Sequence, residues 1–164
     1  MKNKILLVEY DPDMVDFIRS MFHPDIIDFV IAGDEREVRN ELERQNFDLV
    51  ITEALLPKSH GFTICKYVFD HFPLTRVIIV SDKLDDVSHR NEALQNGASE
   101  YIEKPLNKEK FMEKVLYYLN IKNKHQKFGT NEDTTNLYLF PYSDRPGEEM
   151  RRENRRDPVN IKID

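Results

Sequence analysis

Cysteine and tryptophan are nearly missing from this sequence of 164 residues, which has one cysteine, Cys65, and no tryptophan. A single cysteine excludes an internal disulfide framework and a zinc site built from several thiolates. We expect Cys65 to pack in the core as a small hydrophobic side chain. Long apolar runs are also missing, since nothing approaches the roughly 20 apolar residues that span a membrane. The N-terminus does not resemble a signal peptide. The sequence therefore predicts a cytoplasmic protein.

Positive charge is scarce over the first three quarters of the chain. The net charge is -6, and residues 1–121 contain 15 Lys and Arg against 22 Asp and Glu. Residues 122–164 contain nine basic against eight acidic side chains. An acidic surface repels nucleic-acid phosphates, which argues against nucleic acid as a partner. A DNA-binding regulator is also disfavoured because the 43 trailing residues show no helix-turn-helix pattern.

Short apolar runs alternate with segments of helical period over the first 120 residues. Each run is continuous, which is typical of strands buried on both faces of a parallel sheet. Five such units predict an α/β doubly wound fold with right-handed crossovers. The runs are Ile5-Leu6-Leu7-Val8, Phe29-Val30-Ile31, Leu49-Val50-Ile51, Val77-Ile78-Ile79-Val80 and Tyr101-Ile102.

The intervening helices have recognisable ends. Asp13 and Asp34 are candidate N-caps for the first two helices, and a third covers roughly residues 62–69. The fourth runs from about Asp85 to Asn96 and stops at Gly97, and the fifth starts at Asn107.

The pattern ends after Ile121. We predict a domain at 1–121, a polar linker at 122–149 and a tail at 150–164. The linker contains one short apolar segment, Leu137-Tyr138-Leu139-Phe140, before Pro141. The remainder of the linker is polar and lacks periodicity.

Polar residues follow four of the predicted strands. In an open parallel sheet, function concentrates outside the carboxyl ends of the strands. Carboxylates at this edge could chelate a hard cation such as Mg²⁺, while a lysine and a hydroxyl could neutralise a phosphoryl group. The residues concerned are Glu9, Tyr10 and Asp11 after the first strand, Glu53 after the third, Ser81 after the fourth, and Lys104 with Pro105 after the fifth.

Three blocks of sequence resemble the receiver domain of bacterial response regulators. They are Ile5-Leu6-Leu7-Val8-Glu9, Phe47 to Ile51 followed by Leu55-Leu56-Pro57 and Gly61-Phe62, and Asn96 to Pro105. The resemblance covers about residues 3–120. It implies a flavodoxin-like sheet of five parallel strands in the order 2-1-3-4-5 with five helices. It also implies a role in phosphorelay signalling, where a histidine kinase phosphorylates an aspartate after the third strand.

The phosphorylation site departs from the family pattern. The phosphoacceptor-equivalent position is Glu53, and the acidic pair becomes Glu9 and Tyr10. Tyr10 has no carboxylate, and Asp11 lies one position too late. The longer Glu53 displaces its carboxylate from in-line geometry. We therefore expect Mg²⁺ binding to be weak or absent, no catalytic residue, and no ordinary aspartyl phosphorylation.

The switch residues of the family are still present. Ser81 and Tyr101 match its hydroxyl and aromatic switch positions, and Lys104-Pro105 is expected to have a cis peptide bond. Glu53 can reach Lys104 as a permanent ion pair. Two hypotheses stay open: Glu53 partly mimics the phosphorylated state, or the pair is static in a domain that no longer switches.

The tail at 150–164 resembles the opening of a PilZ domain. Arg152 and Arg156 have the spacing with which that family grips cyclic di-GMP, and guanidinium groups suit phosphate and guanine. The second ligand-binding motif is absent, so we expect poor cyclic di-GMP binding by this chain alone. Either the chain is part of a longer receiver–PilZ protein, or the arginine cluster is a solvated basic end or a weak nucleic-acid contact.

Two functions remain as hypotheses. The first is a pseudo-receiver that acts through contacts with other signalling proteins or with a second copy of itself. The interaction face would be the fourth helix, fifth strand and fifth helix, from Asp85 to Leu119. The alternative is a working receiver phosphorylated at an unusual site, serving as input to a PilZ-type effector.

Overall fold

The computed structural model describes residues 2–82 and 87–120, apart from the side chain of Val87. These residues form seven strands: β1 (Asn3–Val8), β2 (Ile27–Ala32), β3 (Leu49–Glu53), β4 (Leu55–Leu56), β5 (Ser59–His60), β6 (Arg76–Ser81) and β7 (Glu100–Glu103). The same residues form five helices: α1 (Pro12–Ser20), α2 (Glu35–Arg44), α3 (Gly61–His71), α4 (Val87–Gln95) and α5 (Lys108–Tyr118).

Five strands form one parallel sheet in the order β2-β1-β3-β6-β7. This is the predicted 2-1-3-4-5 order, counted over the strands of that sheet, so the fold class is confirmed. The core lies in two layers. One face packs against α2, α3 and α4 through residues such as Val38, Ile64 and Ala93. The other face packs against α1 and α5 through residues such as Ile18 and Phe111.

The sequence did not predict the small antiparallel hairpin of β4 and β5. Each of its strands is two residues long, too short to show a period of two in the sequence. Gly61 follows the hairpin at the start of α3, and its amide donates to the Ala54 carbonyl over 2.8 Å. A Cβ at Gly61 would lie 2.4 Å from the Glu53 carbonyl oxygen, so only glycine fits this close approach.

Two details of the sequence interpretation were wrong. The N-cap of α1 is Asp11, whose carboxylate accepts from the Asp13 amide, and Pro12 occupies the first turn. Proline fits the first turn because its fixed φ suits a helix and it needs no amide partner there. The prediction that every strand is buried on both faces also fails for β2. It lies at the sheet edge, and Ile31 is 38% exposed.

Other predicted helix ends are correct. The Asp34 carboxylate accepts from the Glu37 amide, and the Asn107 side chain accepts from the Lys110 amide. Gly97 follows α4 with φ of +92°, a conformation that favours glycine. Cys65 is fully buried, as expected. Burial raises the pKa of its thiol to about 12.

Several predictions fall outside the described residues. They concern Asp85 at the start of the fourth helix, the linker and tail beyond Asn120, and the paired arginines Arg152 and Arg156. Among the helices of the described part, none combines the length and the apolar character needed to cross a bilayer.

Candidate functional site

Polar and charged side chains from four strands lie together at the carboxyl edge of the sheet. Glu9 follows β1, Glu53 ends β3, Ser81 ends β6 and Lys104 follows β7. Strand register explains this, because Val8 pairs with Thr52, Glu53 with Val80, and Ser81 with Glu103. Parallel neighbours therefore end at one level, and the side chains beyond them share one crevice.

Lys104 is the centre of this cluster, which we call the Lys104 pocket (Glu9, Glu53, Asp82 and Lys104). Its Nζ lies 2.5 Å from Glu53 Oε2, 3.7 Å from Glu9 Oε2 and 4.0 Å from Asp82 Oδ1. Glu53 and Glu9 are buried, whereas the Asp82 side chain is 75% exposed. The ammonium therefore pairs mainly with Glu53 at the end of β3, and its two weaker contacts reach the ends of β1 and β6.

Both carboxylate oxygens of Glu53 are engaged. Oε2 contacts the Lys104 ammonium, while Oε1 accepts from the backbone amides of Ala54 and Leu55 at 2.9 and 3.4 Å. Burial raises the pKa of Glu53, and the hydrogen bond and charge of Lys104 oppose this without cancelling it. Burial alone would lower the pKa of Lys104, but Glu53 and Glu9 outweigh it, so the Lys104 pKa is raised.

The three residues that follow β1, Glu9, Tyr10 and Asp11, do not converge on one point where a metal ion could bind. Glu9 Oε1 accepts from the amides of Tyr10 and Asp11 at 2.9 and 3.0 Å. The Tyr10 side chain is 57% exposed. Asp11 caps α1 through the Asp13 amide at 3.0 Å. One of the three side chains, Glu9, therefore reaches Lys104, and the Asp11 carboxylate has another partner.

No set of three or more His, Cys, Asp or Glu side chains in the described ranges is arranged to hold a metal ion. The carboxylates of the Lys104 pocket instead surround an ammonium group. A cation entering between Glu9 and Glu53 would meet like charge at Lys104 Nζ.

The two switch-equivalent residues are buried beside the pocket. The Ser81 hydroxyl donates to the Asp82 carbonyl over 3.0 Å. Tyr101 lies in β7 at 3% exposure, with the Arg90 guanidinium 5.7 Å from its ring centroid. The Lys104–Pro105 bond is cis, as the resemblance implied. These positions are compatible with either a mobile or a static role, so their function stays a prediction.

The face formed by α4, β7 and α5 has ion pairs between its own elements. Arg90 lies 3.6 Å from Glu103, and Lys114 lies 2.5 Å from Glu100. Both pairs join a helix to β7. Charges on this face are therefore partly neutralised within one molecule.

Sequence reasoning missed Asp82 as a member of the Lys104 pocket. It directly follows β6, so the rule that selected Ser81 also points to it. The resemblance drew attention to the hydroxyl position and away from its acidic neighbour. The helix-capping role of Asp11 was also missed, although Pro12 signals a helix start there.

Comparison with known proteins agrees with this architecture. Residues 5–116 match the family model described as response regulator receiver domain. Transcriptional regulatory protein CiaR of Streptococcus pneumoniae is 32% identical over 134 residues, covering 72% of this chain and 58% of CiaR. Response regulator protein PilR of Pseudomonas aeruginosa is 26% identical over 122 residues, covering 74% of this chain and 27% of PilR. The chain thus spans only part of the length of these relatives.

Solved structures show the same fold. The CheY-like response regulator receiver domain protein of Methanospirillum hungatei JF-1 superposes with a TM-score of 0.68 at 23% identity, covering 76% of this chain and 99% of that one. A receiver domain of Francisella response regulator 1452 superposes with a TM-score of 0.66 at 25% identity, covering 74% and 99%. Since the family model matches well over half of the residues, this chain belongs to the response regulator receiver domain family of two-component signalling.

Proposed function

We propose that this chain is a pseudo-receiver, which acts through protein contacts without ordinary phosphorylation at position 53. One observation carries the proposal: the Lys104 ammonium is 2.5 Å from the buried carboxylate of Glu53. Phosphoryl transfer requires a nucleophile that is free to attack in line. Here one oxygen of Glu53 is held by Lys104 and the other by backbone amides.

The residues around position 53 do not fit the Mg²⁺ that receiver chemistry uses. Mg²⁺ prefers octahedral oxygen ligands, with one or two carboxylates free to coordinate it. Glu9 is bonded to two backbone amides and lies beside Lys104, Asp11 caps α1, and Tyr10 offers a neutral phenol. We therefore derive no step of a reaction through a metal ion.

Intact-mass measurement after incubation with Mg²⁺ and acetyl phosphate tests the proposal. We expect no mass gain for the wild-type chain. The matched control is the double variant Tyr10→Asp with Glu53→Asp, which restores the family's residue at both positions. We expect this variant to gain the mass of one phosphoryl group. Phosphorylation of the wild type at Glu53 or Asp11 would refute the proposal and favour a working receiver with an unusual acceptor.

The partners would be other signalling proteins, a second copy included, at the face of α4, β7 and α5. The internal pairs Arg90–Glu103 and Lys114–Glu100 neutralise four of the charged side chains there. Contacts on this face would then depend more on shape and apolar area than on ion pairs. Sedimentation velocity across a concentration series tests for the homodimer, with Lys114→Ala as a probe of this face.

Glu53 either mimics a phosphorylated residue or forms a static pair with Lys104. A carboxylate has less charge and fewer acceptor oxygens than a phosphoryl group, which favours the static pair. Glu53→Gln distinguishes the two, because it removes the charge at nearly constant volume. Unchanged oligomeric state and partner affinity would exclude mimicry.

The tail supports a further hypothesis about output. Arg152 and Arg156 lie outside the described residues, so their proposed link to cyclic di-GMP rests on sequence spacing alone. We expect no saturable binding of cyclic di-GMP to this chain in calorimetry. Saturable binding that is lost in Arg152→Ala would contradict this expectation.

A further inference from the structure

Four exposed apolar side chains lie around one edge of the domain, opposite the Lys104 pocket. They come from α3, the turn that follows it, α4 and α5. Helices of this fold run antiparallel to the strands, so these positions meet at the amino edge of the sheet. We call them the amino-edge patch: Phe69 (58% exposed), Leu74 (92%), Leu94 (51%) and Tyr117 (63%).

The loop at 96–99 contacts Phe69 and Leu94 and, through Tyr118, the end of α5. The Phe69 ring fills the space where a Cβ on Gly97 would lie, at 2.3 Å. The Gly97 amide donates to the Leu94 carbonyl over 3.0 Å. On the other side, the Tyr118 hydroxyl donates to the Ser99 carbonyl over 2.7 Å, and the Tyr118 ring lies 5.2 Å from that of Tyr117. The loop therefore links the Phe69 and Leu94 side of the patch to the end of α5.

The chain leaves the domain beside this patch. The described part ends at Asn120, two residues after Tyr118, whose hydroxyl donates to the Ser99 carbonyl. Sixteen residues, 121–136, then precede the apolar segment Leu137-Tyr138-Leu139-Phe140. A random coil of that length has a root-mean-square span of about 22 Å, which would bring the apolar segment within reach of the patch.

We propose that the apolar segment at 137–140 docks on the amino-edge patch of its own domain. Contiguous exposed apolar surface marks an interaction site, and this segment is the apolar partner attached nearest to it. A short tether gives an effective concentration on the order of millimolar, so even a weak contact is populated. The charges agree, since residues 1–121 contain more acidic than basic side chains and 122–164 slightly more basic ones. A second copy or another protein are the competing occupants.

Paramagnetic relaxation in the chain of 164 residues tests this proposal. Cys65 is buried and its thiol pKa is about 12, so it stays unlabelled when Ser143→Cys is treated with a nitroxide reagent. We expect strong broadening of the amides of Phe69, Leu94 and Tyr117, while those of Tyr10 and Leu55 at the opposite edge keep their intensity.

Substitutions separate docking from simple tethering. Leu137→Ser with Leu139→Ser is expected to restore at least twofold intensity at the patch, and so is Leu74→Ser in the patch itself. Leu55→Ser is the matched control, because it removes an exposed leucine at the opposite edge and should change nothing. Unchanged broadening in the double-serine variant would overturn the proposal, since the tether alone would then explain it.

A mixture of two samples distinguishes docking within one chain from docking between two copies. One sample has the spin label and natural-abundance nitrogen, and the other has ¹⁵N and no spin label. We expect no broadening in this mixture, because the contact is within one chain. Broadening of the patch in the mixture would assign it to a second copy and overturn the proposal.

Discussion

Removing the positive charge from the Lys104 pocket should destabilise the domain in a pH-dependent way. In Lys104→Met, Glu53 loses the ammonium at 2.5 Å but keeps its two backbone amides. Deleting one partner of a buried ion pair costs about 3–5 kcal/mol. The Lys104 side chain is 15% exposed and the carboxylate remains hydrogen-bonded, so we expect the lower limit, about 3 kcal/mol at neutral pH.

The sign of the pH dependence follows from the pKa of Glu53. Burial holds this pKa above the ordinary glutamate value, so the folded chain binds a proton there at higher pH than the unfolded chain does. The stability contributed by this group is present below its unfolded pKa and is lost as pH rises through the folded pKa. Lys104 opposes the shift, so removing it raises the pKa of Glu53 further and moves that loss to higher pH.

The destabilisation by Lys104→Met should therefore shrink on acidification, as Glu53 becomes neutral. Urea unfolding followed by far-ultraviolet circular dichroism measures it at about pH 7.5 and about pH 5. Fluorescence is less suitable because the chain has no tryptophan. The double variant Lys104→Met with Glu53→Gln should be more stable than Lys104→Met at neutral pH. The reasoning would be refuted if Lys104→Met lowered the free energy of unfolding equally at both pH values. It would also be refuted if the double variant were no more stable than Lys104→Met at neutral pH.

Three further predictions concern the framework. Gly61→Ala should lower the free energy of unfolding by about 2 kcal/mol or more in urea denaturation, because its Cβ would lie 2.4 Å from a backbone oxygen; Gly33→Ala, whose nearest contact would be 3.6 Å, is the control and should be nearly neutral. Asp34→Ala should cost about 1 kcal/mol in the same assay by removing the cap of α2, and an unchanged midpoint would contradict that role. Cys65 should resist alkylation at about pH 8 in the folded chain and react after unfolding, as read by intact mass; rapid reaction without denaturant would contradict its burial.

Strand positions and their order could be predicted because a buried parallel strand appears in the sequence as a continuous apolar run. Residues 5–8 and 77–80 lie inside β1 and β6 as expected. The exposure of Ile31 could not be predicted in this way. Its strand lies at the sheet edge, with a neighbour on one side only, but the apolar run of an edge strand looks the same in the sequence as that of a central strand. Exposure depends on strand order, which is a property of the whole sheet.

The contact between Glu53 and Lys104 could be anticipated, because β3 and β7 end at the same edge of the sheet with one strand between them, a distance that two long side chains can cover. The partners of Glu9 and Asp11 could not. Their carboxylates bond to amides one or two residues away, and such local bonds depend on backbone angles in the turn after β1. An aspartate in a receiver-like motif therefore looks the same in sequence whether it faces the pocket or caps a helix.

The close approach of Gly61 to the Glu53 carbonyl acts on the main chain and not on the side chain at position 53. The main chain at position 53 is fixed by a glycine contact and by the amide of Gly61 bonding to Ala54, none of which involves the side chain at 53. Exchanging the side chain at position 53 would leave these two main-chain contacts in place, but it would remove the bonds of Glu53 Oε1 to the Ala54 and Leu55 amides and the main partner of Lys104. Glycine is therefore required at position 61 whatever side chain stands at position 53.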